Sequence, residues 1–112
     1  MLIIIGLAVY IFVFNNQNSG IGDNNTLPTS VSINIKDFSF NPISITVKAG
    51  TKVTWTNNDS VSHTITSDQG NLLNSPNISP GQSFSYTFSD SGTMKYHCNI
   101  HTTMKGDIVV TN

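Results

Sequence analysis

One run of nine residues, Tyr96-His97-Cys98-Asn99-Ile100-His101-Thr102-Thr103-Met104, holds the single cysteine, two of the three histidines and one of the three methionines. Cys98, His101 and Met104 stand at intervals of three, so one loop presents a thiolate, an imidazole and a thioether together. Soft sulfur ligands combined with imidazole suit copper, and two histidines, one cysteine and a weak axial methionine make up the copper sites that pass electrons. Such a site needs a second histidine from elsewhere in the chain. His63 is the candidate, at the end of Asn58-Asp59-Ser60-Val61-Ser62-His63. The fold must therefore hold two separated segments against each other in a fixed geometry.

The patterning supplies a framework of that kind. Val31, Ile33 and Ile35 alternate with Ser32, Asn34 and Lys36, after which the parity shifts to Phe38 and Phe40. A shift of this sort predicts a bulge or bend near Lys36-Asp37. Further alternating runs follow at Ile43, Ile45 and Val47, at Val53 and Trp55, at Phe84, Tyr86 and Phe88, at Met94, Tyr96 and Cys98, and at Ile108 and Val110. A short strand is expected around His63-Thr64-Ile65-Thr66, and a long loop from Ser67 to Gly81, which carries glycine, asparagine and two prolines. Short strands separated by regular turn signals predict an all-β sandwich.

With 112 residues, 38% hydrophobic and 10% charged, the chain has room for one small domain. Its five basic residues are lysines scattered along the sequence, without the clustering that a nucleic-acid footprint needs, so no nucleic-acid partner is expected. A lone cysteine excludes an internal disulfide framework. A free cysteine is by default a buried structural thiol; the ligand spacing around Cys98 overturns that default.

Residues 1–14 are almost wholly apolar, and Leu2 to Phe14 form an unbroken hydrophobic run. As a helix that run rises only about 20 Å, against roughly 30 Å of hydrocarbon. No charged segment precedes it and no small-residue cleavage pattern follows, which favours an uncleaved membrane anchor over a secretory signal. Residues 15–30 are rich in Asn, Gly and Ser and read as a flexible polar linker. Residues 31–112 form the folded domain, expected outside the cytoplasmic membrane.

From about Val31 onward, the chain resembles the cupredoxins of the plastocyanin and amicyanin type. The resemblance rests on Phe38-Ser39-Phe40-Asn41-Pro42, Val47-Lys48-Ala49-Gly50, Val53-Thr54-Trp55-Thr56-Asn57, His63 and the Cys98-x2-His101-x2-Met104 loop, which is most similar to that of amicyanin. It implies a Greek-key β-sandwich, here preceded by an N-terminal apolar helix. It also implies one type 1 copper ion, with His63, Cys98 and His101 as equatorial ligands and Met104 as the axial one. The exposed edge of His101 would be the electron port, where redox partner proteins dock transiently, ringed by Val61, Ser62, Ile100, Thr102 and Thr103.

Several neighbours acquire expected roles. His97 adjoins Cys98 in a strand and should face the opposite side. Met94 and Trp55 are expected in the core, and Tyr96 resembles a tyrosine-corner position. Thr64 and Asn99 resemble a hydrogen-bonding pair that laces the ligand segments together. Amicyanin has prolines where Ile100 and Thr102 stand, so the Ile100 N–H is free to donate to the Cys98 sulfur. The function implied is single-electron carriage; the alternative is a copper chaperone or storage module using the same ligands. An enzyme acting alone is disfavoured, since a further copper centre would need more histidines than His97. A structural zinc site would use more Cys or His and no methionine.

Overall fold

In the computed structural model, which describes residues 29–112, the alternating stretches become eight strands in two sheets. They are β1 (Ser30–Lys36), β2 (Ser39–Asn41), β3 (Ser44–Lys48), β4 (Thr51–Asn57), β5 (Thr66–Ser67), β6 (Ser83–Phe88), β7 (Gly92–His97) and β8 (Lys105–Thr111). One sheet has the order β2-β1-β4-β6 and the other β3-β8-β7-β5. β1 runs parallel to β4 and β3 parallel to β8, while the remaining pairs are antiparallel. From β2 through β7 the chain changes sheet at every connection, so the two layers are stitched together. The apolar anchor expected over residues 1–14 and the linker as far as residue 28 lie outside the described residues.

Period-two patterning works because successive side chains in a strand face opposite sides. Ile33, Ile35, Phe40, Val53, Trp55 and Phe88 fill the gap from one sheet, and Ile45, Val47, Tyr96, Ile108 and Val110 from the other. Ile65, Leu73 and Ile78 close the core from the long connection between β4 and β6. Trp55 is a core residue, as expected. Tyr96 departs from the corner role: its phenol oxygen accepts the Trp55 Nε1–H at 3.0 Å, with the rings 5.5 Å apart and nearly perpendicular. Because Trp55 is on β4 and Tyr96 on β7, this bond ties the two sheets together at mid-core. Burial pushes the phenol well above its ordinary range, so it stays protonated and able to hydrogen-bond.

Three further details differ from the sequence reading. The parity shift is a two-residue hairpin turn: Lys36 pairs with Ser39, and Asp37 and Phe38 both have positive φ, 54° and 57°. Positive φ at both central residues matches the right-handed twist of the flanking strands. Phe38 consequently leaves the core and is 50% exposed. The strand expected at His63-Thr66 shrinks to β5, while His63 forms an isolated bridge with Ile78 instead. Ile43, read as the start of an inward run, is exposed, because β3 begins only at Ser44.

Candidate metal centre

Cys98 directly follows β7 and continues its inward alternation, which buries the sulfur at one end of the sandwich. The seven-residue connection to β8 closes on itself: the Cys98 N–H donates to the Met104 carbonyl at 3.1 Å, and the Met104 N–H to the His101 carbonyl at 2.9 Å. Met104 is buried by this closure and joins the core cluster, whereas His101 stays half-buried. His63 arrives from the segment after β4, fixed by paired backbone bonds with Ile78.

The sequence-predicted histidines and cysteine converge. Cys98 Sγ is 3.7 Å from His63 Nδ1 and 3.9 Å from His101 Nδ1, and the three donor atoms all lie within 4.8 Å of one another. Bonds of about 2.0 Å to nitrogen and about 2.3 Å to sulfur, meeting at trigonal angles, need a donor separation of roughly 3.8 Å. The spacing therefore fits a single metal ion between the three donors. A single thiolate and two imidazoles beside a buried methionine favour copper over zinc, which accepts thioethers poorly.

A carboxylate that the sequence reading passed over organises the histidine side. Asp59 Oδ2 lies 2.8 Å from His63 Nε2, so the ring presents Nδ1 towards the sulfur. The same carboxylate accepts the N–H groups of Asp37 at 2.7 Å and Phe38 at 2.9 Å, offsetting the strain of the two left-handed residues. Burial works against the charge of Asp59. The Phe38 N–H, His63 and the Asp37 N–H outweigh it and hold the carboxyl below its ordinary value of 3.8. Buried Asn57 sets up the turn itself, donating to the carbonyls of Val61 and Ile78 at 2.8 Å each and accepting the Asp59 N–H at 2.9 Å. The only signal of these roles in the sequence is the Asn57-Asn58-Asp59 turn cluster.

Around the sulfur, the Thr64 and His101 N–H groups each donate at 3.4 Å. The second amide expected at Ile100 is therefore supplied by His101. The lacing of the ligand segments is present in altered form: Thr64 Oγ1 accepts the backbone N–H of Asn99 at 2.8 Å, not its side chain. His97 points to the opposite face of β7, as expected, and its Nδ1 lies 2.6 Å from Asp68 Oδ1. Val61, Ile100, Thr102 and Thr103 are exposed, and Ser62 is half-buried. To these the structure adds Phe38, whose ring centroid is 4.8 Å from that of His101 and 5.5 Å from that of His63.

Comparison with known proteins agrees with this geometry. The Cupredoxin-like domain family profile matches residues 3–110. Amicyanin of Paracoccus denitrificans is 32% identical over 85 residues, 72% of this chain and 65% of that protein, so the match spans just under two thirds of the relative. Plastocyanin of Scenedesmus fuscus is 37% identical over 83 residues, covering 63% of this chain and 85% of the relative. Among solved structures, a purple cupredoxin from Nitrosopumilus maritimus superposes with a TM-score of 0.70 at 32% identity, over 72% of this chain and 99% of that one. The reduced state of an amicyanin mutant superposes with a TM-score of 0.68 at 30% identity, over 72% and 81%. A two-sheet sandwich whose single cysteine and two histidines converge at one end, matched by a family profile along nearly its whole length, is a member of the cupredoxin-like family.

Proposed function

We propose that the chain is a type 1 copper protein that carries single electrons between partner proteins. His63 Nδ1, Cys98 Sγ and His101 Nδ1 would hold the copper, with the Met104 thioether as the further ligand. The observation that carries this reading is the convergence of those three donor atoms within 4.8 Å. Copper, when bound, supplies the Cu(I)/Cu(II) couple. The protein's part is to change little between the two states. Cys98 and His63 are buried and held by backbone bonds, so neither needs to move. Asp59 keeps the His63 proton on Nε2 and leaves Nδ1 free as a donor to the metal, the outer-sphere arrangement found for metal-bound histidines. The two N–H groups at Sγ draw charge from the thiolate and so favour the reduced state.

The half-buried edge of His101 is the electron port in this reading; Phe38, which packs against it, and the exposed Val61 and Ile100 would supply the apolar part of a docking patch. Redox partners typically meet over small interfaces, which such a patch suits. Residues 1–14 serve as a membrane anchor and residues 15–30 as a tether that leaves the domain outside the cytoplasmic membrane. Support for both is compositional: an apolar run followed by a polar Asn/Gly/Ser stretch.

The test is the visible spectrum of the full chain after copper loading and oxidation. An intense thiolate-to-Cu(II) band that bleaches with reductant and returns with oxidant is expected. A chain that binds copper without that band would displace Cys98 from the ligand set and favour storage or delivery.

A further inference from the structure

The two imidazoles are held in different ways. His63 is tied from behind through Nε2 to Asp59. Among the described residues no protein group hydrogen-bonds His101 Nε2, and the polar neighbour of its Nδ1 is the Cys98 sulfur at 3.9 Å. A ligand histidine is normally oriented by a hydrogen bond on its second nitrogen. The bonds from Cys98 to Met104 and from Met104 to His101 fix the loop backbone, but they leave rotation of the His101 side chain free. Aromatic rings pack against the imidazole instead. Phe38 stands at 89° to His101 with centroids 4.8 Å apart, and at 88° to His63 with centroids 5.5 Å apart. The two histidines are themselves 5.0 Å apart at 60°.

Phe38 is not a loose cover. Its backbone sits at φ 57°, between Asp37 and β2, and its N–H is held by the carboxylate that also holds His63. Asp59 thus sets the position of one imidazole directly and of the other through Phe38. We propose that Phe38 is the positioning residue for His101, fixing the orientation of the ring at the electron port by edge-to-face packing where no hydrogen bond does so. The role in copper binding rests on the ligand assignment above; the effect on the ring does not.

The experiment compares the full chain with Phe38→Leu, Phe38→Met and Phe38→Tyr. In the metal-free chain, side-chain couplings and imidazole nitrogen–proton correlations measured by NMR report whether each ring keeps one rotamer. Wild type and Phe38→Tyr should hold His101 in one rotamer, and the two ring-less variants should average it. His63, tied to Asp59, should stay fixed in all four. Because Phe38 is half exposed, the thermal midpoints should agree closely; Phe38→Met keeps the comparison open if Phe38→Leu does not fold. After copper loading, the ring-less variants should lose the metal to a chelator about three- to tenfold faster, the scale of one aromatic pair. A His101 that stays fixed without the Phe38 ring overturns the proposal. A wild-type chain that takes up no copper overturns the ligand assignment instead, and the NMR result still decides the role of Phe38.

Discussion

Thr64 Oγ1 accepts the Asn99 N–H at 2.8 Å and lies 2.9 Å from Thr66 Oγ1, so one hydroxyl joins the His63 segment to the His101 loop. Replacing it by the isosteric Thr64→Val leaves the Asn99 N–H without that partner. A loss of roughly 1–2 kcal/mol in urea denaturation of the metal-free chain is expected, together with faster copper release. Asn99→Ala should change stability by less than about 0.5 kcal/mol, since the backbone supplies the bond and the side chain is exposed. Asp59 gives a pH-dependent counterpart. Its carboxyl ionises more readily folded than unfolded, so the stability it contributes is present above its ordinary 3.8 and is lost as pH falls through the depressed folded value. In the metal-free chain, stability followed by urea denaturation should fall more steeply in acid for wild type than for Asp59→Asn. Equal slopes would show that the three bonds to Asp59 do not favour its charge. At this scale the sequence was legible where chemistry is written linearly: the residue types and spacing of Cys98 and His101 pointed to a donor cluster, which the fold completes with His63. Asp59 was not legible, because its acceptor role depends on donors from Asp37, Phe38 and His63 meeting in space.

Among the elements, the inward alternation of Met94 and Tyr96 in β7, continued by Cys98 just beyond it, was plain from the sequence, because a strand next to a packed core repeats every two residues. The place of Phe38 was hidden by the same logic. Two left-handed residues convert an apparent change of parity into a turn; Asp37 tolerates positive φ, but nothing in Phe38 advertises it as a glycine would. The β7–β8 hairpin contains a second such constraint. Gly106 pairs with Tyr96, and a Cβ at that position would lie 2.6 Å from both Cζ and Oη of the phenol. The fully buried ring is wedged between Trp55, Phe40 and this glycine, so a methyl group there must displace it against packed neighbours. Gly106→Ala should cost about 1–3 kcal/mol in denaturation, the usual scale of overpacking. It should also shift the Trp55 emission, because moving the phenol disturbs the bond to Nε1. A full-stability variant with unchanged fluorescence would mean that the hairpin opens without strain.

For the molecule as a whole, the donors belong to parts of the chain that the sandwich joins only at one end. His63 sits between β4 and β5, whereas Cys98 and His101 lie between β7 and β8, so a metal held by all three cross-links the two regions. Unfolding separates those donors, and the folded state should therefore bind copper far better than the unfolded one. Free copper a thousandfold above its dissociation constant stabilises such a fold by roughly 4 kcal/mol. For a domain of this size each kcal/mol moves the melting midpoint by about 4–8 °C, which gives an expected rise of roughly 15–30 °C. Differential scanning calorimetry of the full chain, metal-free and copper-loaded, measures it, and a strong chelator should reverse it. Cys98→Ala will start from a lower midpoint, because a buried core side chain is trimmed. The increment on adding copper is the decisive quantity, and it should shrink to a few degrees once the thiolate is gone. An increment that survives intact would place the stabilising copper elsewhere on the chain, and the convergence of His63, Cys98 and His101 would then have to serve the fold alone.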